Sequence, residues 1–163
     1  SKVKYVQGWG ETFELSHKFD TISMNNLLEH VDDPVKLLKN CKHHLTEGGV
    51  ILAQVPNSNS PARRLGVEMN LIPFVYDISQ KERDFYGHQR AYDLYSLEED
   101  ARRAGLMVVE SGGLMYKPLP NEFLFEICEK RGEEFRDKFI DGLIEMGKRG
   151  GSEDCAQLYI VCE

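Results

Sequence analysis

The stretch Phe19-Asp20-Thr21-Ile22-Ser23-Met24-Asn25-Asn26-Leu27-Leu28-Glu29-His30-Val31-Asp32-Asp33-Pro34 decides how this chain folds. Its first six residues include the β-formers Phe19, Thr21 and Ile22 and predict a strand. A polar turn follows, and Asp33 stands where it can cap a helix whose first residue, Pro34, has no N–H to satisfy. Val35, Leu38, Cys41 and Leu45 recur at helical spacing, and Gly48-Gly49 supplies a left-handed stop. Val50 to Val55 is a near-continuous apolar run closed by Pro56, the pattern of a strand covered on both faces. Strand, helix and strand in succession predict an α/β sheet.

Further along, residues 56–92 lack strong periodicity and read as a substrate-side insertion or lid. Ser96 and Glu99 form a capping-box pattern for a helix that stops at Gly105, and Leu106 to Glu110 reads as a strand. Beyond Pro120 one helical segment carries Phe123 and Ile127, and a second carries Phe135, Phe139 and Leu143. Cys155 to Cys162 is a final strand.

The whole chain has 163 residues, 41% apolar and 29% charged, which fits one folded domain and excludes a disordered tail or a multidomain machine. A net charge of -7 argues against nucleic-acid binding. Apolar runs are too short to cross a bilayer and no charged-then-apolar leader opens the sequence, so no membrane association and a cytoplasmic location are expected. Cys41, Cys128, Cys155 and Cys162 have no metal-finger spacing and read as buried free thiols, with Cys155 and Cys162 on opposite faces of their strand.

Several phosphate-binding and catalytic signatures are missing. Gly8-Trp9-Gly10 opens like a dinucleotide fingerprint, but Phe13 occupies the third glycine position. There is no P-loop, no nucleophile elbow and no tyrosine followed four residues later by lysine, which leaves a nicotinamide-dependent reductase a distant reading. The chemistry is therefore expected at the strand ends, where open α/β sheets place their ligands.

The series Phe-Asp-x-Ile-x-Met-x-x-x-Leu-Glu-His-Val-x-Asp-Pro from Phe19 to Pro34, followed by Leu-x-x-Gly-Gly-x-x-x-x-x-Val-Pro-Asn from Leu45 to Asn57, strongly resembles class I S-adenosylmethionine-dependent methyltransferases of the small-molecule type. Gly87-His88-Gln89-Arg90-Ala91-Tyr92 and Ala104-Gly105-Leu106 are similar to later parts of the same family. The resemblance implies a Rossmann-like α/β sheet, mostly parallel with one antiparallel strand near the edge. The Phe19 strand would be its fourth, Val50 to Val55 its fifth, Val3 to Gln7 its third, and Cys155 to Cys162 the reversed strand. The glycine-rich loop after the first strand and the acid ending the second have no counterpart, so the chain reads as one partial domain, residues 1–163, with the first two strands absent.

By the same resemblance the cofactor is S-adenosyl-L-methionine. Trp9, Gly10 and Glu11 match the loop that flanks the adenine, where Trp9 either stacks on the ring or packs beside the sheet. Met24, Asn25 and Asn26 match the segment beside the methionine part, with Leu28, Glu29 and His30 just beyond. His88 and His30 are the candidate bases for a hydroxyl acceptor. The alternatives are a turn residue for His30 and a lid residue bonded to Asp84 or Asp93 for His88. Asn57, Arg63, Arg64, Arg90 and Tyr92 are candidates for the acceptor, the arginines through bidentate contacts to a carboxylate or phosphate, or else in surface ion pairs. His43-His44 is a poor metal pair, because adjacent helix residues diverge by about 100°, and no metal is expected. The implied function is methyl transfer to a small-molecule acceptor, such as a hydroxyl of a sugar or metabolite. The competing reading is a non-catalytic methyltransferase-like module that pairs with another chain, with a homodimer through an exposed sheet edge as one form.

Overall fold

Asp33 accepts the N–H of Lys36 at 2.9 Å and Pro34 follows it, so α1 (Pro34–His43) starts where the capping pattern predicts. The computed structural model, which describes residues 3–163, continues from β1 (Phe19–Asn25) through α1 to β2 (Leu45–Pro56). Then come α2 (Pro61–Glu68), α3 (Gln80–Asp84), α4 (Leu94–Arg103), β3 (Val108–Tyr116), α5 (Asn121–Arg131), α6 (Glu133–Arg149) and β4 (Cys155–Cys162). The sheet order is β1-β2-β4-β3. β1 and β2 are parallel, and β4 runs against both β2 and β3, so a single reversed strand lies second from the edge as expected.

Ile51, Ala53 and Val55 of β2 enter the core with Leu38 of α1, Leu97 of α4 and Ile160 of β4. The alternate residues Val50, Leu52 and Gln54 are only half-buried, so β2 is less completely covered than its apolar run suggests. Cys162 belongs to this core, whereas the Cys155 thiol faces the carbonyls of Gly147 and Gly151 beside α6. All four cysteines are free, and Cys41, Cys155 and Cys162 are buried. On α5 and α6 the buried positions are Leu124, Leu143 and Gly147, while Phe123 and Phe135 stay exposed.

Four sequence expectations need correction. Helix α1 ends at His43, and Gly48-Gly49 lies inside β2, where the register shifts from Phe19 opposite Leu45 to Thr21 opposite Val50. Gly48 has φ 72°, and a Cβ on Gly49 would sit 3.0 Å from the carbonyl of Phe19, so the glycines make a bulge rather than a helix stop. Helix α4 starts a turn early because Asp93 is the cap: its carboxylate accepts the Ser96 N–H at 2.8 Å and the Ser96 hydroxyl returns to the Asp93 N–H at 3.0 Å. The strand expected at Leu106 to Glu110 begins at Val108 and runs to Tyr116, because β4 pairs along its whole length. Val3 to Gln7 is not a strand, since no described residue pairs with it.

Residues 56–92 contain α2 and α3, more regular structure than their sequence suggests. A parallel bridge between Asn57 and Tyr92 ties the two ends of this excursion together. Among the described residues no helix is long and apolar enough to cross a membrane.

Candidate active site

β1 and β2 run parallel, so the loops after Asn25 and after Pro56 leave the sheet on the same side. That is where open α/β sheets bind ligands. The first loop carries Glu29 and His30, the second carries Asn57 and Ser58, and residues 88–92 close over both. Together they line a cavity of about 40 Å³ that includes Glu29, Ser58, Arg63, Glu82, His88 and Arg90.

Gln89, Arg90 and a ring contact bring His88 to this place. Gln89 donates its main-chain N–H to the Glu29 carbonyl at 2.8 Å and its side-chain amide to the His30 carbonyl at 2.7 Å. Arg90 donates to the carbonyls of Leu28, Val31 and Asp32. The rings of His30 and His88 meet edge to face with centroids 4.8 Å apart.

Glu29 is the unusual member of the cavity. Its side chain is 2% exposed, yet neither carboxylate oxygen has a hydrogen-bond partner among the described residues. The nearest opposite group is His30 Nε2, at 3.7 Å from Oε1. Burial pushes the Glu29 carboxyl above its ordinary range, against the opposing pull of its own main-chain N–H, His30 and Arg90. Burial, with His30 and Arg63 adding to it, lowers His88 and favours the neutral imidazole; Glu82 pulls the other way.

The other predicted acceptor residues divide. Arg63 lines the cavity but is held by Glu82 at 2.9 Å and by the carbonyls of Val75 and Asp77. Arg64 points elsewhere and pairs with Asp154 at 2.5 Å. Arg90 has its guanidinium directed at three carbonyls, which makes it a clamp on the Glu29 loop. Asn57 is buried, with its amide donating to the carbonyls of Ser152, Glu153 and Cys155. Tyr92 lines the cavity and donates its hydroxyl to Asp100 at 2.9 Å.

On the cofactor side, Trp9 and Gly10 line a second cavity of about 230 Å³ with Val6, Gly8, Phe13 and Leu15. Asn40 holds this loop by donating to the carbonyls of Gly10 and Phe13 at 3.1 and 3.0 Å. Gly10 lies against α1, where a Cβ would come within 2.9 Å of the Leu37 side chain. Glu11 is half-buried. Met24 is buried at the end of β1, Asn25 is exposed, and Asn26 turns the chain at φ 49° while its N–H bonds Gln54 at 2.9 Å. Leu28 is fully buried and packs in the core. The apolar and aromatic lining around Trp9 fits the flat adenine of S-adenosylmethionine.

An open α/β sheet of this strand order, with a polar cavity at the carboxyl ends of two adjacent parallel strands, is the arrangement of a Rossmann-like fold with its ligand site at the strand ends. The model of a family described as a methyltransferase domain matches residues 3–111, well over half of the chain, and the chain belongs to that family. S-adenosylmethionine is the family's cofactor.

A ubiquinone biosynthesis O-methyltransferase of Coxiella burnetii is 32% identical over 114 residues, which is 66% of this chain and 44% of the relative. The protein of the same name from Pseudomonas putida is 27% identical over 124 residues, 75% of this chain and 52% of the relative. The chain thus spans about half the length of the curated relatives it matches. Among solved structures, a S-adenosylmethionine-dependent methyltransferase of Thermotoga maritima matches with TM-score 0.59 and 20% identity, over 96% of this chain and 61% of that one. A phosphoethanolamine N-methyltransferase of Haemonchus contortus, in complex with S-adenosyl-L-methionine, matches with TM-score 0.53 and 18% identity, over 94% and 35%. These two likenesses show the fold.

Sequence reasoning placed Glu29 just beyond the cofactor segment but gave it no role in the site. Its signal was a carboxylate next to the apolar Leu28, with one histidine, His30, on its other side.

Proposed function

We propose that the protein transfers a methyl group from S-adenosylmethionine to a hydroxyl of a small-molecule acceptor that presents this group to the cavity beneath residues 88–92. What carries the reading is Glu29: a buried carboxylate with no partner among the described residues, in the loop after β1, is costly unless it faces a ligand. Trp9, Gly10 and Glu11 would hold the adenine, and Met24, Asn25 and Asn26 would pass beside the methionine part. S-adenosylmethionine supplies a methyl group on a positively charged sulfur. The chain's own residues align the acceptor, exclude water and receive the hydroxyl proton, with His30 and His88 the imidazoles in reach. Residues 56–92 act as the acceptor-side cover, and the setting is cytoplasmic. Two curated relatives named as O-methyltransferases support oxygen as the methylated atom.

Calorimetry with S-adenosylhomocysteine tests the cofactor, with micromolar binding expected. Loss of a hydroxyl proton signal and gain of a methyl ether on a phenolic or sugar acceptor tests the chemistry. A chain that binds neither S-adenosylmethionine nor S-adenosylhomocysteine when extended at its N-terminus overturns the reading.

A second reading rests on a separate observation: the outer edge of β1 has no strand partner among the described residues. Such an edge is a template for pairing with another chain, including a second copy. Light scattering that gives a monomer at high concentration would count against it.

A further inference from the structure

We infer that Ser58 determines acceptor specificity: its hydroxyl donates to a second oxygen of the acceptor, carried on the carbon next to the one that bears the reacting hydroxyl. This rests on the proposed function for where the acceptor sits and goes beyond it in naming the acceptor's chemistry. Ser58 is 3% exposed and lines the same cavity as Glu29, yet its Oγ has no hydrogen-bond partner among the described residues. A buried hydroxyl left in that state costs free energy that a ligand oxygen recovers.

Serine hydroxyls usually find a partner close by, on the main chain or on a neighbouring side chain. In this chain the Ser79 hydroxyl accepts the Glu82 N–H, the Ser96 hydroxyl bonds Asp93, and the Ser111 hydroxyl donates to Glu98 at 2.8 Å. Ser58 does none of these, although its main chain is fixed. Its N–H donates to the Tyr92 carbonyl at 2.7 Å, and the Asn57 amide before it donates to three carbonyls. The hydroxyl is thus held in place on the cavity wall without being used there. Arg63, Arg90 and Tyr92 line the same cavity but are committed to Glu82, to the carbonyls of the Glu29 loop and to Asp100.

The size of the cavity fixes the spacing of the two acceptor oxygens. A buried water needs about 10–15 Å³, so a cavity of about 40 Å³ admits only a few atoms. The polar atoms that meet Glu29 and Ser58 therefore belong to one end of the acceptor, on adjacent carbons, and the rest of the molecule stays outside. The reacting hydroxyl faces Glu29. The Ser58 O–H is a donor in need of an acceptor, so the neighbouring oxygen is one with a free lone pair: an ether, a carbonyl or a second hydroxyl. A phenol with an ortho oxygen and a sugar both carry this arrangement.

Two matched probe pairs test this by NMR titration of the full chain, with and without saturating S-adenosylhomocysteine: ortho-methoxyphenol against phenol, and vicinal cyclohexanediol against cyclohexanol. The parent should bind the dioxygen member of at least one pair about three- to tenfold tighter than its partner, as one neutral hydrogen bond provides. Which pair shows the preference separates a phenolic acceptor from a sugar-like one. Ser58→Ala should bring the ratio close to one. Ser58→Cys, similar in size but a weak donor, should do the same, and it takes the place of Ser58→Ala should that variant fail to fold by circular dichroism. A parent with no preference in either pair overturns the assignment, and so does a variant that keeps the preference. A variant that weakens both members of a pair alike, as loss of a merely structural contact or a bridging water would, overturns it too. S-adenosylhomocysteine calorimetry on the same samples separates the two ideas. Cofactor binding without the preference defeats the role of Ser58 alone, and the preference without cofactor binding defeats the methyltransferase reading alone.

Discussion

Arg90 reaches across 62 positions of sequence to donate its guanidinium to the carbonyl of Leu28, 2.7 Å away. The same side chain also donates to Val31 and Asp32, so one residue satisfies three carbonyls of a loop that has no strand or helix to do so. Lysine offers a single ammonium and cannot span them. Arg90→Lys should therefore lower stability by about 1.5–3 kcal/mol, the range for hydrogen bonds to a charged group. Urea denaturation checks this, and an unchanged midpoint would mean that the loop holds its shape without the clamp.

The strand-helix-strand unit was legible because its signals are local: Asp33 and Pro34 mark a helix start by themselves, and the run from Val50 to Val55 is apolar along its length. Asp93 was hidden because Ser96 also looks like a cap, and only the reciprocal bonds between the two residues show which one leads. Gly48 and Gly49 were misread for a related reason: a positive φ serves a helix stop and a bulge equally, and the neighbouring strand decides. The site was half legible. His30 and His88 were named, but their contact depends on Gln89 and Arg90 bonding main-chain carbonyls, which no sequence spacing encodes. Arg90 itself was taken for a substrate residue because an arginine bonding carbonyls looks the same in sequence as one awaiting a carboxylate.

The Asp93 cap predicts a pH dependence. Burial works to raise its carboxyl, but the Ser96 hydroxyl and N–H and the Tyr76 hydroxyl, at 2.7 Å, together hold it below its ordinary value of 3.8. A carboxyl lowered by folding contributes stability at pH values above its unfolded value, and that contribution fades as pH falls through the folded one. Asp93→Ala should cost about 1 kcal/mol at pH 7, as lost N-caps do. The gap from the parent should stay constant down to about pH 4 and narrow below it. Thermal melts across the acid range check this, and a gap unchanged into strong acid would show that the charge contributes nothing.

Helix α6 carries two glycines with opposite expectations. A Cβ on Gly147 would lie 2.9 Å from the main-chain nitrogens of Met115 and Tyr116, and backbone on a paired strand cannot retreat. Gly147→Ala should destabilise the fold by about 1–3 kcal/mol, the usual result of overpacking. Gly142 has nothing within 4 Å of the same position, so Gly142→Ala should stabilise by about 0.5–1 kcal/mol through helix propensity. Chemical denaturation of the two variants side by side is the test, and equal effects would mean that α6 is not seated on β3 at Gly147.

Trp9 is the chain's only tryptophan and is 79% exposed, on the wall of the cavity assigned to adenine. An indole so placed emits as a solvated fluorophore, and stacking on a purine would both quench and desolvate it. S-adenosylhomocysteine should therefore lower the emission and shift it to shorter wavelength, saturating with the same midpoint that calorimetry gives. An aromatic stack contributes about 0.5–1.5 kcal/mol beyond the area it buries, so Trp9→Ala should weaken cofactor binding by roughly two- to tenfold. Trp9→Phe should recover most of it, because the stacking face survives. Emission that ignores saturating S-adenosylhomocysteine, in a chain that calorimetry shows to bind it, would place Trp9 beside the sheet and leave the adenine to Phe13 and the main chain of Gly8 to Gly10.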